Sequence, residues 1–522
     1  MSYTLIQAGS SLQMVDVDGN LTTLTLPSNL TIDSTIVPRF LVFQDYVYVV
    51  NSPYYPVTVD NYGAVRPVTP KPPQTAPTAA EGGSGSLSGT YSGLRYTFYI
   101  NDADGNLITE SAMSPASGSV TIASKMLKVT GMETSNEPIT GRRIYRPTNG
   151  GTTLFRWIDL EGNTLTEVQD DLADASLSLL AAPTLGSPPH LTLIAEWRNR
   201  LWGVGNVNVD ELRFAEADSR WSWPAANGIG IPGTGADSFG IRALMPRRDS
   251  LGVGRRNMIY QITGTTSTDF RVVKLSQEVG VESNESVVTY RDIVWWLWKD
   301  GIYQWDGDGI RNIADGKVKS WFTTDDYFNQ DEFYRAFAVF DPLTLKYRVY
   351  LAATGGSTIN RWIEYDVQSK TWWGPHLTSA FTPTSAFHLV DANDKIQAVA
   401  GSSSAFIWKD QSTATDDTAT GISTEIITKW YDGDLPDIDK YWGELSVLGK
   451  VQSAGTLTVT PKVGYLDASS SAALSMSMSN GRQRLGRIGH GKLVKLTFTH
   501  STAAQPVELY GFELPFVPVG RR

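Results

Sequence analysis

The chain has 522 residues, of which 41% are hydrophobic and 11% aromatic, so it is too apolar to be disordered and long enough for two or three domains. A formal net charge of −10 argues against a general nucleic-acid binder, and the absence of cysteine excludes disulfides and thiolate metal sites. The 47 glycines, 26 prolines and 19% charged residues are typical of an all-β protein with many turns, and the missing cysteines fit assembly in a reducing cytoplasm.

Residues 1–66 contain two clusters of short strands. One is a hairpin over residues 12–26 that turns at Asp18-Gly19-Asn20, and the other covers residues 39–51 and turns at Gln44-Asp45. We interpret them as the first blades of a β-propeller. The N-terminus has no basic region followed by a long apolar core, so we expect no secretory signal, and no run approaches the ~18 apolar residues of a membrane span.

Residues 67–90 change in composition and predict a linker. The first part is rich in proline and should be stiff, whereas the Gly/Ser run after it should be flexible. Residues 91–180 then carry their own short strands and turns, including one at Asp104-Gly105-Asn106. The length and strand number suit an immunoglobulin-like or fibronectin type III-like sandwich, inserted between this linker and the Pro-rich residues 181–190.

The blade pattern resumes over residues 190–414. Its most regular stretch is residues 286–322, where Val-, Ile- and Trp-rich runs are separated by the turns Lys299-Asp300-Gly301 and Asp306–Gly309. Together with residues 1–66 this predicts about six or seven blades, with the N-terminal strands closing the ring against residues 384–409. Residues 415–522 alternate apolar and polar side chains at period 2, which predicts a C-terminal β-sandwich.

The sequence contains few signs of catalysis. It has no GxSxG, Walker-type or GxGxxG motif, and its five histidines are scattered, so we predict no catalytic residue, no metal ligand and no cofactor. Asp306–Gly309 resembles part of a calcium loop but lacks the later acidic residue, and a hairpin turn is favoured. Carboxylates and tryptophans leave a carbohydrate-cleaving or carbohydrate-binding propeller open. Blade packing is the favoured role for six tryptophans: Trp295, Trp296, Trp298, Trp305, Trp372 and Trp373.

The basic stretch of residues 246–256 is the candidate contact site. Arg247, Arg248, Arg255 and Arg256 flank a glycine-containing loop between two strands, which would lie at one propeller face. They predict a subunit or DNA contact, and the alternative is a solvated hairpin tip. Arg142, Arg143 and Arg146 form a similar, weaker cluster. Late in the chain the charges are polarised, because the segment 432–439 is acidic and the basic residues follow it: Arg482, Arg484, Arg487, Lys492, Lys495, Arg521 and Arg522.

This layout resembles the β-propeller tail nozzle, or tail hub, proteins of short-tailed bacteriophages. The similar segments are LIAEWRNRLWGVG, FRVVKLSQEVGVESNESVV, IVWWLWKDGIYQWDG, RWIEYDVQSKTWWGP and the ending VELYGFELPFVPVGRR. The resemblance covers most of the chain, but it concerns architecture and transfers no site residue.

The resemblance implies a structural virion protein without enzymatic activity. Its expected partners are further copies in a ring, commonly a hexamer, the portal and adaptor proteins, and tail fibres or spikes. Double-stranded DNA would pass through the lumen without sequence recognition, and no small-molecule substrate is implied. The protein would be assembled in the host cytoplasm and reside in the phage tail. Another head-to-tail completion component is the alternative within the same class.

Overall fold

The computed structural model describes residues 3–27, 30–51, 54–177, 181–233, 240–324, 326–378, 381–391, 393, 395–403, 407–409, 416–417, 420–421, 423–464, 469–502, 505 and 507–519. The chain forms two compact units, residues 1–408 and 409–522, so the first unit ends before the predicted boundary at residue 415. Within the described residues the secondary structure is almost entirely strand, which confirms the prediction of an all-β fold. The helical segments described are one α-helix, α1 (Ser320–Thr323), and three 3₁₀ segments: Asp174–Ser176, Asn284–Ser286 and Gln330–Arg335.

The first unit begins with two antiparallel meanders. Sheet 1 consists of β1 (Thr4–Ala8), β2 (Ser11–Val15) and β3 (Leu21–Thr23). Sheet 2 consists of β4 (Arg39–Phe43), β5 (Tyr46–Val50), β6 (Val57–Val59) and β7 (Val65–Pro67). Valine and aromatic residues dominate β4 and β5, as expected for strands that are partly buried.

An inserted domain follows, built from two sheets around one core. Its strands are β8 (Thr78–Tyr91), β9 (Arg95–Asn101), β10 (Leu107–Glu110), β11 (Val120–Thr130), β12 (Gly141–Arg146), β13 (Phe155–Glu161) and β14 (Val168–Asp170). One sheet has the order β10-β9-β12-β13 and the other β14-β11-β8. Residues such as Leu127, Val129 and Ile144 are fully buried between them.

The prediction of a flexible Gly/Ser linker up to residue 90 is wrong, because β8 occupies residues 78–91 and pairs with β11. Its glycines permit close packing. A Cβ at Gly85 would lie 2.7 Å from both the Met126 nitrogen and the Asp171 carboxylate, and one at Gly82 would lie 2.9 Å from the Gln169 side chain. Small residues are therefore required for contact with neighbouring chain, which composition alone does not distinguish from flexibility.

Four four-stranded meanders and one three-stranded sheet complete the first unit. Sheet 3 contains β15 (Leu191–Trp197), β16 (Arg200–Gly205), β17 (Glu211–Phe214) and β18 (Gly228–Gly230). Sheet 4 contains β19 (Ala243–Pro246), β20 (Leu251–Gly254), β21 (Ile259–Thr263) and β22 (Arg271–Ser276). Sheet 5 contains β23 (Val288–Tyr290), β24 (Ile293–Trp298), β25 (Gly301–Trp305) and β26 (Ile310–Asn312). Sheet 6 contains β27 (Phe337–Asp341), β28 (Lys346–Ala352), β29 (Ile359–Asp366) and β30 (Thr371–Leu377). Sheet 7 contains β31 (Pro383–Val390), β32 (Ile396–Ser402) and β33 (Ile407–Lys409).

Consecutive sheets pack face to face along the whole series. Separate hydrophobic cores lie between sheets 1 and 2, 2 and 3, 3 and 4, 4 and 5, 5 and 6, and 6 and 7. The first strands also contact in order, β4 with β15, β15 with β19, β19 with β23, β23 with β27 and β27 with β31. Finally β31 contacts β1, where the Thr4 hydroxyl donates to the His388 carbonyl at 3.3 Å. The last sheet therefore meets the first.

The second unit contains two sheets around a shared core and, near its start, a separate two-stranded sheet. Its strands are β34 (Asp416–Asp417), β35 (Thr420–Gly421), β36 (Thr424–Ile427), β37 (Lys440–Gly449), β38 (Thr456–Gly464), β39 (Ser469–Ser470), β40 (Leu474–Ser477), β41 (Arg482–Gly491), β42 (Leu493–His500), β43 (Leu509–Glu513) and β44 (Phe516–Pro518). One sheet is centred on β38 and β42 and the other on β37. Alternating apolar residues of β37, β38 and β42 fill the core, as period 2 requires.

Candidate functional site

The four predicted contact arginines do not lie on one loop. Arg247 and Arg248 follow β19 in its hairpin with β20, whereas Arg255 and Arg256 follow β20 at the other end of that strand. The sequence Leu251–Gly254, predicted as part of the loop, is a fully buried strand. Its alternating small residues fit between sheets 4 and 5, where a Cβ at Gly252 would lie 2.7 Å from the Trp305 ring. The prediction of a four-arginine loop is wrong for this reason.

Arg255 is an internal residue. Its side chain is 1% exposed, and its guanidinium donates to Asp210 Oδ1 at 2.6 Å and to the Ile231 carbonyl at 3.1 Å. It therefore joins the β17 and β18 region of sheet 3 to sheet 4 and has no surface for DNA. Arg256 is half-buried, and its carbonyl accepts a hydrogen bond from Trp298 Nε1 at 2.9 Å. A structural role explains both residues.

The three arginines of the inserted domain are also internal. Arg142 donates to the carbonyls of four residues that follow or precede its strand: Glu133, Gly162, Asn163 and Leu165. Arg143 pairs with the buried Glu110 at 2.8 Å, and Arg146 pairs with Asp174 at 2.6 Å. Asp159 also accepts a hydrogen bond from Arg143. Burial alone would raise the pKa of the Asp159 carboxyl, but its hydrogen bonds with Arg143 and Arg156 outweigh burial and lower that pKa. The ion pairs of Arg143 join strands of one sheet, and that of Arg146 fixes the 3₁₀ segment after β14, so these arginines offer no contact surface.

A cleft at the ends of sheets 3, 4 and 5 contains two members of the predicted basic set, the half-buried Arg247 and the exposed Arg248. It has a volume of ≈ 500 Å³, is open to solvent, and is lined by Arg198, Arg247, Arg248 and Arg291 together with Glu196 and Asp292. All of these residues belong to, or adjoin, the hairpin that joins the first strand of a sheet to the second. We call this feature the arginine cleft.

Asp292 organises one wall of the arginine cleft. Its carboxylate accepts from the Arg247 guanidinium at 2.8 Å and from the Arg248 backbone N–H at 2.7 Å. Burial opposes ionisation of Asp292, but these bonds outweigh it and lower its pKa below the ordinary value. Arg247 also lies over the Trp305 ring at 4.5 Å, so its position is fixed on both sides.

Sequence reasoning missed Arg198 and Arg291, the two arginines from the neighbouring hairpins. Each is the first residue of a two-residue turn with positive φ at both positions, +56° and +53° at Arg198-Asn199 and +47° and +69° at Arg291-Asp292. The same turn occurs at Gln44-Asp45. Type I′ turns favour Gly, Asn or Asp, so Arg198-Asn199 and Arg291-Asp292 followed by apolar runs carried a usable hairpin signal. That three hairpin tips meet in space is information only the fold supplies.

The acidic turns have structural roles. In 16–20 and 102–106 the first aspartate accepts backbone hydrogen bonds from its own turn and a side-chain bond from the closing asparagine, such as Asn20 Nδ2 to Asp16 Oδ2 at 2.9 Å. Asp306 binds Arg311 and Gln304 within its hairpin. The described residues contain no group of three or more His, Asp or Glu side chains able to hold a metal ion. Nor is any helix among them long and apolar enough to cross a membrane.

The tryptophans divide by sheet position. Trp295 and Trp296 are fully buried on opposite faces of β24, in the cores with sheet 6 and sheet 4, and Trp305 is buried as well. Trp298 is half-buried, whereas Trp373 on the outermost strand β30 is 53% exposed. Blade-type packing therefore explains the first three, and Trp373 is a surface residue.

An ion pair crosses between first strands that are not neighbours. Arg39, which begins β4 in sheet 2, pairs with Glu285, which precedes β23 in sheet 5, with Nε and Oε1 at 2.8 Å. Arg39 also donates to the Thr192 carbonyl of β15 at 2.6 Å. The contact therefore skips sheets 3 and 4.

Comparisons with known proteins identify no family. No family model and no curated protein matches the chain. Among solved structures it is similar to PorZ, a surface component of the type IX secretion system of Porphyromonas gingivalis, at 10% identity over 99% of this chain and 80% of that one, with a TM-score of 0.26. It is also similar to the extracellular domain of the putative hybrid two-component system BT4673 of B. thetaiotaomicron, at 9% identity over 92% of this chain and 75% of that one, with a TM-score of 0.27. An exo-β-1,3-galactanase of Phanerochaete chrysosporium is similar at 10% identity over 81% of this chain and 100% of that one, with a TM-score of 0.19. TM-scores this low support no inference about fold or function.

Proposed function

We propose that sheets 1–7 form a seven-bladed β-propeller, that the inserted domain is a fibronectin type III-like sandwich, and that residues 409–522 form a C-terminal sandwich. The support is the unbroken series of packed sheets, with first strands in contact and β31 against β1. Such an arrangement covers both faces of sheets 2 to 6 with neighbouring sheets, as in a propeller.

On this architecture, the chain is a structural subunit of the tail nozzle of a short-tailed bacteriophage. The observation that carries the proposal is the order of parts: two sheets, an inserted sandwich, five further sheets and a C-terminal sandwich. This order, together with the segments LIAEWRNRLWGVG and IVWWLWKDGIYQWDG, resembles that of the nozzle group. The subunits form a ring, commonly a hexamer, below the portal and adaptor proteins, and the ring anchors fibres or spikes.

The DNA path in this proposal is the lumen between subunits. In a closed propeller the Arg39–Glu285 pair, which skips sheets 3 and 4, would cross the central space, and this argues against a duplex passing through a single propeller. The net charge of −10 suits a lumen that does not retain DNA during ejection. The protein is assembled in the host cytoplasm, resides in the virion and performs no catalysis in this role.

Mass measurement of the purified full-length chain tests the proposal. We expect closed rings whose mass is a fixed multiple of 57.2 kDa, visible as rings in negative-stain electron micrographs. Protein that stays monomeric at tens of micromolar and never joins tail structures would contradict it.

Carbohydrate binding is the second candidate, favoured by one observation, the exposed Trp373 ring. Aromatic faces of this kind stack on sugars, although Lys346 already lies 5.8 Å from this ring. A polysaccharide array separates the two functions. Binding that is lost in Trp373→Ala would favour the carbohydrate candidate, whereas ring formation without any binding would favour the nozzle.

A further inference from the structure

The arginine cleft holds guanidinium groups that have no strong partner. Arg248 and Arg291 are exposed, and neither side chain forms an ion pair within the described part of the chain. Arg198 is 37% exposed and reaches only Asp249, at 3.9 Å, which is itself 83% exposed. Three cations around one concavity repel one another, so the free chain retains unused capacity for anions.

The arginine cleft is partly ordered before any partner arrives. Arg198 lies over Trp197 at 5.7 Å and Arg291 over Tyr290 at 5.2 Å. The backbone of Arg248 is fixed by Asp292. A site whose cations are positioned in advance loses less conformational entropy on binding, which favours a specific contact over a diffuse one.

The chain also contains a segment with complementary charge, residues 432–439, which we call the acidic segment. Its sequence is DGDLPDID, and Asp434 and Asp437 are exposed and form no ion pair among the described residues. It too is held rigidly. The fully buried ammonium of Lys440 donates to the Leu435 carbonyl at 2.5 Å and to the Ile438 carbonyl at 2.9 Å.

We infer that the acidic segment of one copy binds in the arginine cleft of a second copy, joining successive subunits head to tail. The inference rests on the proposed ring and names the contact that builds it. Because the two surfaces differ, the contact is heterologous and repeats around a ring. Each end of the interaction is a set of unpaired charges on a fixed scaffold, and each satisfies the other.

A protein partner fits the cleft better than DNA. Glu196 and Asp292 line the same concavity, and carboxylates among the guanidiniums would repel a continuous phosphate backbone. A peptide with separated carboxylates and the apolar residues Leu435 and Pro436 between them can place each charge against a guanidinium. Among the late basic residues, Arg482 already pairs with Glu513.

Matched charge reversals test the inference in the full-length chain. The cleft variant carries Arg248→Glu and Arg291→Glu, and the segment variant carries Asp434→Lys and Asp437→Lys. The control carries Arg271→Glu and Lys274→Glu on the exposed strand β22, with the same change in net charge as the cleft variant. We expect the cleft and segment variants to need at least about tenfold more protein for ring assembly, and the control to assemble as wild type.

Two combinations make the result specific. The variant with all four reversals, in the cleft and in the segment, should recover assembly because the charges are exchanged. An equal mixture of cleft variant and segment variant should also recover assembly, with the two variants alternating, because each acidic surface then meets a basic one, whereas neither variant should assemble alone. Unchanged melting temperatures would show that the variants are folded.

The inference is overturned if wild-type chain forms rings and both variants form them equally well, a result that leaves the proposed function standing. It is also overturned if Arg248→Glu with Arg291→Glu weakens binding to a short DNA duplex while assembly is unchanged. Wild-type chain that never forms rings would overturn both proposals.

Discussion

Removing the Trp296 side chain should destabilise the first unit far more than removing that of Trp373. Trp296 is fully buried between sheets 4 and 5, and its Nε1 donates to the Gly280 carbonyl at 2.9 Å. A tryptophan buries about 200 Å² of surface, and Trp→Ala in a core costs about 3–5 kcal/mol including the cavity. The orphaned carbonyl adds about 1 kcal/mol, so Trp296→Ala should lower the free energy of unfolding by about 4–6 kcal/mol.

Trp373→Ala is the matched control. The ring is 53% exposed, so only about half its area leaves water on folding, and solvent fills the space left behind. The loss should therefore be no more than about 2 kcal/mol. Urea unfolding followed by far-UV circular dichroism measures both, with residues 409–522 unfolding as a separate transition where the two units are not coupled. Equal losses in the two variants would refute the assignment of Trp296 to packing between sheets.

Three further predictions concern single residues. Gly85→Ala should lower the thermal midpoint of unfolding, because the new Cβ would lie 2.7 Å from the Met126 nitrogen. Gly83→Ala is the control and should leave the midpoint unchanged, because its Cβ would have no atom nearer than 3.9 Å. Equal shifts of the two midpoints in calorimetry would contradict this. Backbone hydrogen bonds hold the pKa of Asp269 at about 2 in the folded chain. Its contribution to the free energy of unfolding is therefore present above pH 4 and is lost as the pH falls towards 2. Asp269→Asn should flatten that part of the acid unfolding curve. Burial lowers the pKa of Lys440 below 10.5 in the folded state. The unfolded chain therefore binds this proton more tightly, and the free energy of unfolding of the second unit should rise with pH just below 10.5. Lys440→Met should remove this rise in denaturant titrations.

Local sequence patterns predicted the strands well because each strand is specified by its own neighbours. The turn at Gln44-Asp45 and the runs on either side of Lys299-Asp300-Gly301 lie where hairpin chemistry places them. The Gly/Ser segment was misread because glycine serves two purposes. Flexibility and close approach have the same composition, and only the position of Met126 and Asp171 relative to Gly85 distinguishes them.

The candidate site was predicted less well because exposure is a tertiary property. Arg255 and Arg248 look alike in the sequence, seven residues apart in one basic stretch, yet one is 1% exposed and the other lies at the surface. Burial of Arg255 depends on Asp210, which comes from another sheet. Arg291 joins Arg248 in the cleft although it belongs to the next sheet. Proximity in sequence was therefore a poor guide to which arginines act together.

The distribution of paired and unpaired arginines gives a physical criterion for contact surfaces in this fold. A buried guanidinium needs a carboxylate or several carbonyls, because an uncompensated buried charge is costly, and Arg142, Arg146 and Arg255 all meet this requirement. An exposed guanidinium is solvated and needs no partner in the free chain. Arg248 and Arg291 are among the exposed arginines whose interactions can change on assembly, and Asp434 and Asp437 are among the exposed carboxylates to which the same argument applies. Both pairs lie on scaffolds fixed by other bonds, so their association would order little additional chain.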